Sequence, residues 1–125
     1  MSIPKNEKLK SEKCITQLFN EGSAITVFPL RLVFLETTFE APVKVKVGVS
    51  VGKRKFKTAV DRNRIKRLIR EAYRLNKSAY FNNITTQFAF MILYIGNEKP
   101  SYIQTETAMK QMLKKFVDKV TSKED

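Results

Sequence analysis

The sequence predicts an α+β domain: a small mixed sheet with helices laid on it, in the order helix, two or three strands, helix, strand, helix. Three observations carry this. Val43, Val45, Val47, Val49 and Val51 alternate with Lys44, Lys46, Gly48 and Ser50, the period of two that sets one face of a strand against a core. Residues 88–95 form a continuous apolar run, which suits a strand covered on both faces. Between them, Ile65, Leu68, Ile69, Ala72 and Leu75 share one arc of a helix at about 100° per residue. Should the two strands pair across that helix, they run parallel, because a crossover helix returns the chain in the same direction.

The elements follow in order. Residues 1–10 are a polar, lysine-bearing lead-in, expected to be mobile. Ser11-Glu12 reads as a helix start; Cys14, Ile15, Leu18 and Phe19 repeat at helical spacing, and Glu21-Gly22 ends the run. Residues 30–39 are rich in β-favouring types and are broken off by Glu40-Ala41-Pro42. The valine strand is expected over 43–51, with all five valines against the core. A long helix starts near Thr58 or Asp61 and runs to about Tyr80, and Asn82-Asn83 marks a turn. The last helix opens with Ser101 and Gln104 at capping-box spacing and buries Met109, Met112, Leu113, Phe116, Val117 and Val120. Residues 121–125 are expected to fray.

At 125 residues, the chain is one domain with one modest core. A hydrophobic fraction of 42%, with nine Phe and four Tyr, argues against disorder. No apolar run approaches the roughly 18 residues of a membrane span, and the N-terminus lacks the apolar stretch of a signal peptide, so the reading is soluble and cytoplasmic. Histidine is absent, which removes imidazole catalysis and the commonest metal ligand. The single cysteine, Cys14, excludes an internal disulfide and reads as a small core or boundary residue.

Charge is the functional signal. Eleven of the residues from Lys53 to Lys77 are Lys or Arg and two, Asp61 and Glu71, are acidic, within a chain of net charge +12. On the helix, Arg62, Lys66, Arg67, Arg70, Arg74 and Lys77 span roughly 140°, with Asn63 inside that arc and Arg64 just beyond it. Lys53, Arg54, Lys55 and Lys57 add a cluster in the loop that leads in. Arginine forks donate bidentately to phosphate oxygens, and backbone N–H groups at the helix start favour an anion. A solvated helix face mixes signs; this one does not, so the partner is a polyanion, with nucleic acid first. Asp61 and Glu71 lie about 15 Å apart along the helix, and no paired carboxylates mark a nuclease centre. Phe19 and Phe34 are either core residues or stacking platforms for single-stranded bases. A DNA-reading helix would need a second helix turned tightly against it, which the pattern lacks. A generic RNA-binding or ribosome-associated role without processing stays open on these residues.

One stretch carries a resemblance. Val47-Gly48-Val49-Ser50-Val51, a basic loop, and Ala59-Val60-Asp61-Arg62-Asn63-Arg64-Ile65-Lys66-Arg67-Leu68-Ile69-Arg70-Glu71-Ala72 are similar to the signature of the protein subunit of bacterial ribonuclease P. The likeness extends from the Leu9-Lys10 lead-in to the C-terminal helix. It implies a ribonuclease P protein-like domain over residues 1–125, with a left-handed crossover between parallel strands. It also implies an accessory subunit of an endoribonuclease, with no protein-only active site and no obligate protein partner. The catalytic RNA would perform magnesium-dependent removal of the 5′ leader from precursor tRNA. By resemblance, Lys53, Arg54, Arg62, Asn63, Arg64, Lys66, Arg67 and Arg70 face RNA, joined by Lys55, Lys57 and Arg74. A cleft beside the first helix would hold the leader, with Ile15, Phe19, Phe34 and Ser50 matching it. Two departures stand out: Ile15 where an aromatic is common, and a loop from Lys53 to Thr58 one residue longer than usual and without its glycine.

Overall fold

The computed structural model describes residues 3–121. Its elements are α1 (Glu12–Glu21), β1 (Ser23–Val27), β2 (Leu30–Thr37), β3 (Val45–Val51), α2 (Ala59–Tyr80), β4 (Gln87–Tyr94) and α3 (Tyr102–Thr121), preceded by one 3₁₀ turn at Lys5–Glu7. The sheet order is β1-β2-β4-β3. β2 runs antiparallel to both β1 and β4, whereas β3 and β4 are parallel, with Val45 opposite Phe88 and Val51 opposite Tyr94. The parallel pair across the long helix is therefore as the sequence predicts.

Each helix begins where its sequence supplies a cap. Ser11 and Thr58 accept hydrogen bonds from the N–H groups of Cys14 (3.2 Å) and Asp61 (3.3 Å). Ser101 and Gln104 close a reciprocal box at 3.1 and 3.4 Å. At the other end of α2, the Lys44 ammonium donates to the carbonyls of Phe81 (2.7 Å) and Asn82 (3.3 Å) and places a cation at the negative end of the helix dipole.

The sheet is buried on both faces, unequally. Under α2 and α3 lie Leu30, Leu32, Phe34, Phe88, Phe90 and Ile92, and Phe116 of α3 meets Phe34, Phe88 and Phe90 edge-on at ring distances of 5.0, 5.0 and 4.7 Å. The opposite face is a smaller cluster: Val33, Ala89 and Met91 against Leu9 and Leu18.

Several expectations need correction. The lead-in is packed from residue 3: Ile3 and Leu9 are buried, the Leu9 N–H donates to the Val47 carbonyl at 3.0 Å, and Glu7 pairs with Lys77. Residues 1–2 and 122–125 lie outside the described residues; of the segment expected to fray only Thr121 is described, and it is helical, its hydroxyl donating to the Val117 carbonyl at 2.6 Å. The third strand that the predicted order left open is β1, whose position the sequence analysis did not give; it is short and half exposed, and is held by its hairpin with β2. The valine strand starts at Val45, because Gln87 Nε2 occupies the carbonyls of Ala41 and Val43 at 2.9 and 2.7 Å and so takes them out of the ladder. Of its valines, 45, 47 and 51 are buried and Val49 is half-buried. On α2 the buried arc is Ile65, Ile69, Ala72 and Tyr73, while Leu75 is 53% exposed. Phe34, assigned to the cleft beside α1, points instead into the core beneath α3, at 6% exposure.

Phe34→Ala should therefore lower unfolding free energy by about 3–5 kcal/mol in urea titration, the cost of truncating a buried phenylalanine. Phe19→Ala, at a site 50% exposed, should change it by less than about 1 kcal/mol.

Candidate nucleic-acid interface

The basic segment divides by what each cation does inside the molecule. At 100° per residue Arg62 projects toward the side of Ile69 and Tyr73, so it is half-buried and turns back on the incoming loop. Its Nη1 donates to the carbonyls of Phe56 (2.8 Å) and Lys57 (2.9 Å), and Phe56 is buried against Tyr94. Arg62 thus pins the basic loop to the first turn of α2. Arg74 is engaged by Glu71 at 2.6 Å, and that hydrogen bond holds the Glu71 carboxyl below its usual range. Lys77 is spent on Glu7. Asp61 pairs with Lys99 at 3.0 Å; the bond from Lys99, then that with Thr58, lowers its carboxyl. The acids of this segment thus have cationic partners.

What remains is an array without hydrogen bonds or ion pairs of its own, in which Arg64 alone adds a through-space attraction to Asp61. Lys53, Arg54, Lys55, Lys57, Asn63, Arg64, Arg67 and Arg70 are exposed and Lys66 is half-buried. None of their side chains forms a hydrogen bond or ion pair with another described residue. The loop cluster and the helix face are joined by Arg62, so their cations form one surface of a single sign. Such a surface binds by neutralising phosphates and releasing counterions.

Beside it runs a trough. α1 rests on β2 and β4, while the edge strand β3 meets the N-terminal segment, whose Leu9 N–H donates to the Val47 carbonyl at 3.0 Å. There Lys46, Gly48 and Ser50 alternate with the buried valines, and all three are half-buried. Gly48 leaves room for the Met91 side chain: a Cβ there would sit 2.8 Å from the Met91 methyl, which would have to shift, and 3.8 Å from Leu9. Arg70, Ile15, Gly48 and Met91 line a groove of about 380 Å³ that connects the basic face of α2 to α1. Phe19, one turn after Ile15, is half exposed along the same helix face, and Ser50 continues the row beyond Gly48. Of the four expected cleft residues, Ile15 lines this groove, Phe19 and Ser50 lie beyond it along α1 and β3, and Phe34 is buried in the core on the other face of the sheet.

The sheet register adds residues that sequence reasoning missed. Arg31 and Ser50 both lie opposite Leu93, so the three form one row across the cleft face. Arg31 is exposed and donates to Thr26 Oγ1 at 3.1 Å; Leu93 is half-buried. Strand partners separated by sixty residues leave no local signal, and only the pairing register could have found them.

The burial of Cys14 raises its thiol, consistent with a boundary residue. Among the described residues, no three His, Cys, Asp or Glu side chains converge as a metal would need, and no helix is long and apolar enough to cross a membrane.

A single-signed basic face beside an apolar-floored trough defines a polyanion-binding α+β protein. A family model described as Ribonuclease P matches residues 3–117. The ribonuclease P protein component of Porphyromonas gingivalis is 37% identical over 125 residues, 96% of this chain and 90% of that protein. That of Chlorobaculum tepidum is 38% identical over 92 residues, 71% of this chain and 57% of its own length. Among solved structures, the RNase P protein of Staphylococcus aureus has the same fold (TM-score 0.71, 19% identity, 88% of this chain and 94% of that one). The Thermotoga maritima RNase P protein matches as well (TM-score 0.70, 23% identity, 87% and 96%). The chain belongs to the ribonuclease P protein family.

Arg62→Ala should speed hydrogen exchange at the amides of residues 53–58 at least tenfold, since two charge-assisted bonds worth about 1.5–3 kcal/mol each are lost. The amides of β4 should keep their protection; amide exchange read by mass spectrometry or NMR checks both.

Proposed function

We propose that this ribonuclease P protein component binds the catalytic RNA through Lys53, Arg54, Lys55, Lys57, Asn63, Arg64, Lys66, Arg67 and Arg70. In the same reading it holds the single-stranded 5′ leader of precursor tRNA in the trough lined by Ile15 and continued by Phe19 and Ser50. The holoenzyme then releases the mature tRNA 5′ end in the cytoplasm. The observation that carries this reading is the unbroken sign of the array: its cations have no hydrogen bond or ion pair of their own, while the nearby acids are consumed by Lys99, Arg74 and Lys77. Arg62 and Arg74 act from behind, the first by fixing the loop and the second by neutralising Glu71.

The chemistry is assigned to the RNA. The sequence has no histidine, and its described acids offer no converging trio of metal ligands. In this reading magnesium is assigned to RNA phosphates, and no step is routed through a protein-held ion. The protein's contribution is binding energy: charge neutralisation along the α2 face, and the apolar-floored trough beside it. Ile15 in place of an aromatic gives that trough an aliphatic wall, leaving Phe19 as its stacking ring on α1.

Reconstitution tests the reading. With precursor tRNA and a bacterial ribonuclease P RNA at low magnesium, mature 5′ ends should form efficiently only when the protein is added. RNA bound without any gain in cleavage would replace the reading with a generic RNA-binding role. Arg67→Ala and Arg70→Ala should each weaken binding to the catalytic RNA and lower the slope of log affinity against log salt by about 0.7–0.9, with thermal unfolding unchanged. A slope equal to wild type would remove these residues from the interface.

A further inference from the structure

Toward the C-terminal end of α2, a hollow of about 320 Å³ opens between the lead-in, the start of β3 and the helix. Two ammoniums and one carboxylate line it, those of Lys44, Lys77 and Glu7, and Pro42, Val45 and Phe81 are among its apolar walls. Tyr73 lines it as well, yet is 0% exposed, so it forms the innermost wall. Its hydroxyl is buried without a hydrogen-bond partner, the one such side-chain atom among the described residues. Burial, reinforced by the Glu7 carboxylate, holds this hydroxyl well above the usual tyrosine range, so it stays protonated and is free to donate.

Donors are in surplus around this hollow. The Lys44 ammonium gives two of its three N–H groups to the carbonyls of Phe81 and Asn82, which leaves one. Lys77 gives one to Glu7, which leaves two, and its nitrogen stands 6.0 Å from the centre of the Tyr73 ring. The carboxylate of Glu7 is already engaged by that bond. Two ammoniums against one carboxylate give the hollow a formal charge of +1, the complement of a monoanion. A buried hydroxyl without an acceptor is costly, and a bond to an ionised acceptor is the strongest remedy.

We propose that this hollow binds a small organic carboxylate with a compact apolar body. The carboxylate accepts from the Tyr73 hydroxyl and the Lys77 ammonium, and the body packs against Pro42, Val45 and Phe81. A phosphate monoester fits the charge less well, since it carries close to two negative charges at neutral pH. The Glu7–Lys77 pair ties the lead-in to α2 beside the ligand, so occupancy also steadies the lead-in. The site stands apart from the RNA-facing array, none of whose residues lines the hollow.

The test titrates the full chain with sodium benzoate at constant ionic strength, with inorganic phosphate as the probe that lacks an apolar body, and follows amide shifts by NMR. Benzoate should move the amides of Val45, Tyr73 and Ser78 saturably, whereas phosphate should leave these in place. Tyr73→Phe keeps the ring and removes the hydroxyl, and should weaken benzoate roughly tenfold or more. Without benzoate this variant should melt no lower than wild type, because what it loses is an unpartnered buried group. Lys77→Gln, changed at the second donor, should weaken benzoate by a similar factor. The absence of a saturable shift in wild type overturns the site, as does an equal benzoate affinity in Tyr73→Phe. A Tyr73→Phe protein that melts well below wild type without benzoate also overturns it, since the hydroxyl then already has a partner in the fold. Displacement of benzoate by ribonuclease P RNA, with RNA affinity reduced in Tyr73→Phe, overturns the carboxylate site and assigns the hollow to that RNA.

Discussion

Strand β4 is the constraint on which the rest of the structure depends. It pairs with β2 on one side and β3 on the other, and it is buried on both faces, under Phe116 on one and against Leu18 and Leu9 on the other. Because β4 fixes the register of both neighbours, it decides which residues of β2 and β3 face α1. A slip of one residue would exchange the two faces and carry Ser50 and Gly48 into the core. The geometry of the trough is thus inherited from a strand that contributes only Met91 and Leu93 to its floor.

That dependence explains what could be read from the sequence. The valine strand, the long helix and the apolar run of β4 were legible because each has a strong period or none, and the basic face was legible because its charges crowd one stretch of chain. The phase of β2 was not. Leu30, Leu32 and Phe34 compete with Val33 and Leu35 for the interior, both sets are apolar, and alternation cannot say which set meets the larger core. Phe34 was assigned to the cleft by resemblance, and the alternation of β2 could not decide against it. Leu75 failed differently: α3 packs against α2 and rotates its buried arc toward Tyr73, a residue whose hydroxyl disguised it as a boundary position. The lead-in looked mobile because a proline and four polar or charged residues separate Ile3 from Leu9, yet those two, with the Glu7–Lys77 pair, anchor it.

A helix this cationic needs a reason to remain folded against its own repulsion. The cost is limited in three ways. Some cations are turned inward to useful acceptors: Arg62 to loop carbonyls, Lys44 to the end of α2, Lys77 to Glu7. The acids sit where they offset neighbours without breaking the outward face, as Glu71 does with Arg74. The remaining cations are exposed, where water and salt screen them. The apolar arc of α2, from Ile65 to Tyr73, supplies the packing energy that holds the array in place.

This partition separates two kinds of arginine that the sequence presents as one run. Arg62 and Arg64 flank Asn63 and look equivalent, but one is half-buried with two carbonyl partners and the other is exposed with none. In the proposed interface, a residue of the first kind acts by shaping the loop that carries Lys53 to Lys57, so its loss disturbs backbone order as well as charge. A residue of the second kind contributes through charge and its planar fork, and is sensitive to salt in the way a phosphate contact must be. Helical geometry makes the division: Arg62 lies nearest the buried arc and close to the loop, whereas Arg64, Arg67 and Arg70 project away from it. The same face that binds is therefore positioned by one of its own number.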